Sequence, residues 1–195
     1  MRRIVLAMTG ASGMPYGVRL LEVLSRTPEV ETHLILSNAA LKVLSLESEI
    51  GPDELAGLAH RTYAQDEVGA GPASGSWIHH GMAVCPCSMA SLAAIANGLG
   101  SNLIHRAADV TLKEKRPLIL VARETPLNRT HLKNMLAAHD AGCVIMPPSP
   151  GFYHRPRTIK DLTDQFVGRI LDHLGIEHEL GVRWKGDSPE SVLLA

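Results

Sequence analysis

The sequence has few cysteines, few aromatic residues, no surplus of either charge and no long apolar run. Its three cysteines, Cys85, Cys87 and Cys143, are sparse and odd in number, which argues against a secreted disulfide framework. No stretch reaches the roughly 18 apolar residues of a membrane span, so we expect no membrane anchor. The formal net charge of −1 lacks the basic excess of non-specific nucleic-acid binders. The opening MRRIVLAMTG has too short an apolar run for a signal peptide, so we expect a cytoplasmic protein.

Strands and helices alternate along the 195 residues, of which 45% are hydrophobic. We expect a single domain over residues 1–186 and a poorly ordered tail at 187–195. Short apolar runs predict five strands: Arg3–Met8, Glu31–Leu36, Met82–Cys85, Leu118–Ala122 and Cys143–Met146. Helical spacing predicts seven helices: Tyr16–Ser25, Ala39–Glu47, Pro52–Ala59, Ser88–Asn97, Leu103–Lys115, Leu127–Asp140 and Thr158–Leu174. Apolar strands alternating with helices indicate an α/β three-layer sandwich, a doubly wound parallel sheet of the flavodoxin-like or Rossmann-like type.

Small and polar residues follow each predicted strand, at the edge where a parallel sheet binds ligands. The five segments are Thr9–Gly13, Ser37-Asn38, Pro86–Ser91, Arg123–Pro126 and 147–155. Small residues let a backbone approach a ligand, and hydroxyl groups and helix N-termini bind phosphate. The Gly-Ala-Ser-Gly turn leaves phosphate binding and plain packing equally open, and it is neither a Walker A motif nor a full dinucleotide fingerprint. A mononucleotide therefore fits better than a dinucleotide.

Some of these residues also have purely structural explanations. Arg123-Glu124, directly after a buried strand, is either part of a site or a local salt bridge. Tyr153 lies in a Pro-framed loop, where a tyrosine is more often a packing residue than a ligand. Cys85-Pro86-Cys87 has no second Cys or His pair nearby, so we expect buried thiols and no metal. The convergence of independent loops on one edge is what favours a functional site.

A series of motifs in a fixed order resembles the UbiX family of flavin prenyltransferases from about Arg3 to Trp184. The motifs are Thr9–Gly13, Tyr16-Gly17, Ser74–Ser76, Cys85–Ser88, Arg106–Asp109, Leu112–Leu118, Arg123–Pro126 and Pro150–His154. The resemblance implies an enzyme that joins a dimethylallyl group from dimethylallyl phosphate to N5 and C6 of reduced FMN, without a metal. It also implies that UbiD-type decarboxylases use the product, and that the chain forms a dodecamer with flavin sites shared between neighbouring subunits.

The resemblance assigns site residues by position. For FMN they are Gly10, Ala11, Ser12, Ser37, Ser88, Met89, Ala90, Ser91 and Arg123. For the prenyl phosphate and the active site they are Arg106, Lys113, Glu124, Tyr153 and Arg169, with Trp184 as an aromatic residue that can close over the isoprenoid. Among all of these, the expected catalytic residues are Ser12, Arg106, Lys113 and Glu124.

The chemistry of allylic transfer agrees with this assignment. Breaking the allylic C–O bond leaves positive charge on the prenyl group and negative charge on the phosphate, which Arg and Lys stabilise. Tyr153 can donate a hydrogen bond to the phosphate, Glu124 can move a proton at the phosphate or flavin, and an aromatic face can stabilise the allyl cation. Because the flavin is the nucleophile, no activated Ser or Cys is needed.

Three other functions are open from the sequence. FMN-dependent cysteine decarboxylases share this fold, but they carry Pro-Ala-Ser-Ala-Asn-Thr where this chain has Pro86–Ser91, which lacks the Asn. A non-catalytic flavin carrier would have no need of Arg106, Lys113, Glu124 and Tyr153. A direct aromatic-acid decarboxylase needs a carbanion sink, which only the flavin itself would supply. The sequence also leaves open which decarboxylase is served and whether the donor is a monophosphate or a diphosphate.

Overall fold

In residues 1–183, six parallel strands form one central sheet. The computed structural model describes residues 1–183, so Trp184 and the tail predicted at 187–195 lie outside the described residues. The strands are β1 (Arg2–Met8), β2 (Val30–Leu36), β3 (Arg61–Ala64), β4 (Met82–Cys87), β5 (Leu118–Ala122) and β6 (Val144–Ile145). Their order across the sheet is β3-β2-β1-β4-β5-β6. The chain winds outward from β1 in both directions, which confirms the doubly wound prediction.

Within residues 1–183, six α-helices lie between strands and a seventh follows the last strand. They are α1 (Met14–Arg26), α2 (Asn38–Glu47), α3 (Pro52–Gly57), α4 (Met89–Ala96), α5 (Leu103–Lys113), α6 (Arg129–Asp140) and α7 (Ile159–Leu174). Five of them begin at a residue whose side chain accepts a hydrogen bond from a first-turn amide, namely Ser37, Ser88, Asn102, Asn128 and Thr158. The prediction of Ser88 as an N-cap is therefore confirmed.

Helices cover both faces of the sheet and bury most of the four central strands. In β1, Ile4, Leu6 and Met8 pack with α1, α2, α3 and α7, whereas Val5 and Ala7 pack with α4, α5 and α6. All five side chains are 0% exposed. Burial on both faces explains why β1 is a continuous apolar run from Ile4 to Met8 with no polar alternation.

The structure differs from the sequence prediction at the two edges of the sheet. The prediction of five strands was wrong because Arg61–Ala64 forms an additional edge strand beside β2. Only Tyr63 of that strand is buried, so its sequence lacks the apolar run that identifies an interior strand. At the other edge, the strand predicted at Cys143–Met146 shortens to Val144–Ile145. Within residues 1–183, no helix has both the length and the apolar character of a bilayer span.

Candidate functional site

The carboxyl ends of β1 and β4 meet where the winding of the sheet reverses, which is where such folds form a ligand crevice. Three hydrogen bonds join the loop after β1 to the end of β4 and to the loop that follows it. Thr9 donates to the Pro86 carbonyl through its amide (3.1 Å) and its hydroxyl (2.9 Å), and the Ser88 amide donates to the Thr9 hydroxyl (2.7 Å). Since Thr9 is 1% exposed, solvent does not compete for these bonds, and the two loops act as one unit.

Gly10 and Ser37, both predicted to bind FMN, lie close together in the loops after β1 and β2. The Ser37 amide donates to the Met8 carbonyl (3.1 Å), and its hydroxyl accepts from the Ala40 amide (3.0 Å) at the start of α2. A Cβ atom at Gly10 would lie 2.4 Å from the Cβ of Ala39, in the first turn of α2. Gly10 is therefore required for the close approach of the β1 loop to α2.

Glu47, the last residue of α2, belongs to this region although the sequence did not predict it. Its Oε2 accepts hydrogen bonds from the amides of Gly13 (2.8 Å) and Met14 (2.9 Å), at the start of α1. Burial raises the pKa of the Glu47 carboxyl, but hydrogen bonds from Ser12, Gly13 and Met14 and the charge of Arg123 outweigh burial and lower that pKa below its ordinary value. A carboxylate therefore already occupies the anion-binding end of α1, and a ligand phosphate needs other donors.

The start of α4 offers such donors. The Ser88 hydroxyl accepts from the Ser91 amide (3.2 Å) and donates to the Ser91 hydroxyl (3.2 Å). The amides of Met89 and Ala90 have no hydrogen-bond partner among residues 1–183. These amides point along the positive end of the helix dipole, so they suit an anionic or carbonyl oxygen of a ligand.

Arg123 connects the loop after β5 to the same edge. Its Nε donates to the Ser12 carbonyl (3.1 Å), and its amide donates to the Cys87 carbonyl (3.2 Å). Glu124 is exposed, and its Oε1 accepts from the Thr125 amide (2.9 Å). In the part of the chain that the structure describes, Arg123 and Glu124 form no ion pair with each other, so a local salt bridge does not explain their presence. We call this edge, formed by the loops after β1, β2, β4 and β5, the rim.

A cavity of about 390 Å³ lies between α7 and the segment that follows it. Tyr153 and Arg169, both predicted site residues, line it. The Tyr153 hydroxyl accepts a hydrogen bond from Gln165 Nε2 (3.0 Å), and Arg169 Nη1 donates to Asp172 Oδ2 (2.6 Å). Arg183 also lines the cavity. Two guanidinium groups against one carboxylate leave a net positive charge, which suits a phosphate group.

Arg106 and Lys113 lie two turns apart on α5, away from this cavity. Arg106 Nη1 is 3.4 Å from Asp109 Oδ2, and Lys113 Nζ is 2.8 Å from Glu114 Oε1. Helix α5 covers the face of the sheet opposite to α7. A single chain therefore does not bring Arg106 and Lys113 to the cavity that holds Arg169.

The three cysteines are free and buried. Burial raises the pKa of Cys87 to about 12 and that of Cys143 to about 11, and it raises the pKa of Cys85 further still. Neutral, buried thiols are poor nucleophiles and poor metal ligands. Residues 1–183 contain no group of three or more His, Cys, Asp or Glu side chains placed to hold a metal ion.

Comparison with known proteins assigns the chain to a family. The model of the family described as Flavoprotein matches residues 1–170. The mitochondrial flavin prenyltransferase PAD1 of Saccharomyces cerevisiae is 50% identical over 185 residues, which cover 95% of this chain and 76% of that protein. The flavin prenyltransferase UbiX of Thauera aromatica is 46% identical over 190 residues, 97% of each chain. This chain belongs to the UbiX family of flavin prenyltransferases. The resemblance found in the sequence motifs is thereby confirmed.

Solved structures of UbiX proteins share the fold over nearly the whole chain. AnUbiX (PadA1), described as a complex with FMN and dimethylallyl pyrophosphate, has a TM-score of 0.93 at 46% identity and covers 96% of this chain and 99% of that chain. An FMN-dependent cysteine decarboxylase, TvaF, has a TM-score of 0.64 at 16% identity and covers 90% of this chain and 99% of that chain. At that identity the likeness shows a common fold and nothing about the reaction.

Proposed function

We propose that this protein transfers the dimethylallyl group of dimethylallyl phosphate to N5 and C6 of reduced FMN. The observation that carries the proposal is the rim, where loops from four strands are joined by hydrogen bonds, together with a net-positive cavity lined by Tyr153 and Arg169. Family membership supports it. The product, prenylated FMN, would pass in the cytoplasm to a UbiD-type decarboxylase.

The rim would seat the FMN. The small residues Gly10, Ala11 and Ser12 leave room for a planar ring near the backbone. Because Glu47 occupies the start of α1, the FMN phosphate and ring carbonyls would use the Ser37 loop and the free amides at the start of α4. Arg123 would contact the edge of the flavin ring, while its Nε donates a hydrogen bond to the Ser12 carbonyl.

The cavity would hold the prenyl donor. Reduced FMN, when bound, supplies the nucleophile for the allylic carbon. The Arg169 guanidinium would stabilise the negative charge that develops on the phosphate as the C–O bond breaks, and the Tyr153 hydroxyl would add a hydrogen bond. Glu124 stands exposed at the rim, where it would accept or deliver a proton at the phosphate or the flavin.

A neighbouring subunit would complete the site with Arg106 and Lys113. Both residues share the exposed side of α5, since the buried side of that helix is formed by residues such as Ala107 and Val110. Their approach to the cavity of another copy would bring like charges together, and the phosphate dianion would neutralise them. A UbiX-like decarboxylase from Escherichia coli O157:H7, with a TM-score of 0.92 at 44% identity over 94% of this chain and 100% of that chain, is described as dodecameric, and we propose the same assembly here.

The direct test of prenyl transfer incubates the protein with reduced FMN and dimethylallyl monophosphate in the absence of oxygen. We expect mass spectrometry of the released flavin to show one added five-carbon unit, and we expect the product to activate an apo UbiD-type decarboxylase. A flavin of unchanged mass, combined with oxidative decarboxylation of a C-terminal cysteine peptide, would favour the cysteine decarboxylase alternative instead.

Replacement of Glu124 by Gln tests the proton-transfer role. General acid–base catalysis typically contributes about 100-fold or more, so Glu124→Gln should slow prenyl addition by at least that factor while the FMN dissociation constant stays unchanged. Glu49→Gln, at an exposed position beyond α2, is the matched control and should retain full turnover. Unchanged turnover in Glu124→Gln would remove Glu124 from the mechanism.

A further inference from the structure

The segment after α7 is held against the helix along three successive turns and delivers a second arginine to the cavity. Gln165 Oε1 accepts from the Val182 amide (2.9 Å). At Gly168, a Cβ atom would lie 2.8 Å from His178 Cε1, so the absent side chain lets the segment lie on the helix. One turn further, Asp172 contacts His178 and Arg183. The returning backbone therefore has a defined path, and Arg183 is positioned by it.

Asp172 links the two arginines of the cavity through its two carboxylate oxygens. Oδ2 accepts from Arg169 Nη1 (2.6 Å), and Oδ1 accepts from Arg183 Nη2 (2.8 Å) and from His178 Nε2 (3.2 Å). His178 Nδ1 accepts from the Leu180 amide (3.0 Å), which leaves the ring proton on Nε2 to face Asp172. The Asp172 side chain is 22% exposed, and the His178 side chain is 4% exposed.

We propose that Arg183 is a second phosphate-binding guanidinium of the prenyl-donor site, and that Asp172 is the positioning residue that holds Arg169 and Arg183 beside each other. This inference rests on the proposed prenyl transfer. One carboxylate neutralises one guanidinium, so the other retains its full charge for the ligand. A phosphate oxygen that enters between them gains charge-assisted hydrogen bonds from groups already held in place, which lowers the entropy lost on binding. The substrate class is an allylic monophosphate or diphosphate.

Steady-state kinetics of the FMN-loaded protein tests the role of Arg183. Loss of one charge-assisted hydrogen bond at a partly exposed site corresponds to about a tenfold change in affinity. We expect Arg183→Gln to raise the KM for the donor by this factor with little change in kcat, and Arg183→Lys to recover part of the loss. Arg26→Gln, at the exposed end of α1, is the control. Unchanged KM values for both dimethylallyl monophosphate and diphosphate would overturn the proposal, and the donor with the larger change identifies which phosphate Arg183 contacts.

A double-mutant cycle tests Asp172. If Asp172 acts by holding the arginines, Asp172→Asn should raise the donor KM, and adding Arg183→Gln should raise it by less than the sum of the two single effects on the logarithmic scale. Strict additivity, or no effect of Asp172→Asn on KM, would contradict a positioning role. Far-UV circular dichroism of each variant distinguishes a loss of fold from a loss of binding.

Binding of inorganic pyrophosphate separates this inference from the proposed reaction. Isothermal titration of the FMN-loaded protein with pyrophosphate needs no prenyl transfer. Weaker binding by Arg183→Gln than by Arg26→Gln would support the anion site even if the wild-type protein failed to prenylate FMN. Equal binding by both variants would overturn it even if prenylation occurred.

Discussion

The contact between Gly10 and Ala39 makes a sharp prediction about the rim. In Gly10→Ala, the new Cβ atom would lie 2.4 Å from the Cβ of Ala39, whereas ordinary contacts between such atoms are about 3.5–4.0 Å. Either the β1 loop or the start of α2 must move by about 1 Å to relieve this overlap. The loop carries Gly13 and Met14, whose amides donate to Glu47, so its movement would disturb the rim directly.

The loss of stability expected in Gly10→Ala follows from the known cost of overpacking. Inserting a methyl group into a filled space costs about 1–3 kcal/mol, and for a chain of this length 1 kcal/mol corresponds to about 2–4 °C in Tm. We therefore expect Gly10→Ala to lower the Tm by about 4–8 °C for a mid-range cost. Because the displaced loop is part of the rim, where we propose that FMN binds, we expect the FMN dissociation constant to rise by about tenfold, or 1.4 kcal/mol.

A second substitution, at Ala39, tests whether the overlap of the two Cβ atoms causes the loss of stability. Ala39→Gly removes the methyl group that the new side chain meets, and glycine near a helix start costs at most about 1 kcal/mol. The double variant Gly10→Ala with Ala39→Gly should therefore be more stable and bind FMN more tightly than Gly10→Ala. The control is Gly57→Ala, where a Cβ atom meets nothing within 4 Å. Thermal unfolding and flavin fluorescence titration measure both quantities. A Gly10→Ala variant that matches wild type, or a double variant with no recovery, would refute the account.

Two further predictions concern buried groups away from the rim. The native protein should leave Cys85, Cys87 and Cys143 unmodified by Ellman's reagent at pH 8 and expose all three on unfolding, because burial raises their pKa values; rapid labelling of the native state would contradict this. Burial lowers the pKa of His33 and of His79 to about 4, below the unfolded value of about 6.5. The unfolded state therefore binds more protons below pH 6.5, so the stability contributed by the neutral imidazoles is complete above that pH and falls as the pH drops towards 4, by about 3 kcal/mol per group. His79→Gln should flatten this dependence in unfolding measurements, and an unaltered slope would exclude His79 as its source.

Much of the fold could be predicted because local signals and burial agree. The core strands are apolar on both faces, and polar caps such as Ser88 and Thr158 mark the helix starts. The edge strand β3 could not be predicted in this way, because only Tyr63 in it is buried and its pairing with β2 supplies the rest of its stability. Propensity is a weak guide where tertiary pairing decides the structure.

The residues of the candidate site that directly follow a strand could be predicted from the sequence. The residues that lie on helices and meet distant partners could not. Ser12, Ser37 and Arg123 are found where the sequence placed them, at the carboxyl edge of the sheet. Glu47 was not predicted because it lies 34 residues from Gly13 along the chain, and no local sequence motif indicates that contact. Asp172 was not predicted either, because the segment after α7 must fold back along the helix before Arg183 can contact Asp172.

Mixed oligomers test most directly whether the active site is shared between two copies. Lys113→Ala protein and Glu124→Gln protein, carrying different tags, would be produced in the same cells and purified through both tags. Each variant alone should prenylate FMN slowly. In a random mixture, about a quarter of the shared sites would combine Glu124 from one copy with Lys113 from another, so we predict that the mixed oligomer regains turnover in about that proportion. A mixed oligomer no more active than its parents would contradict the account.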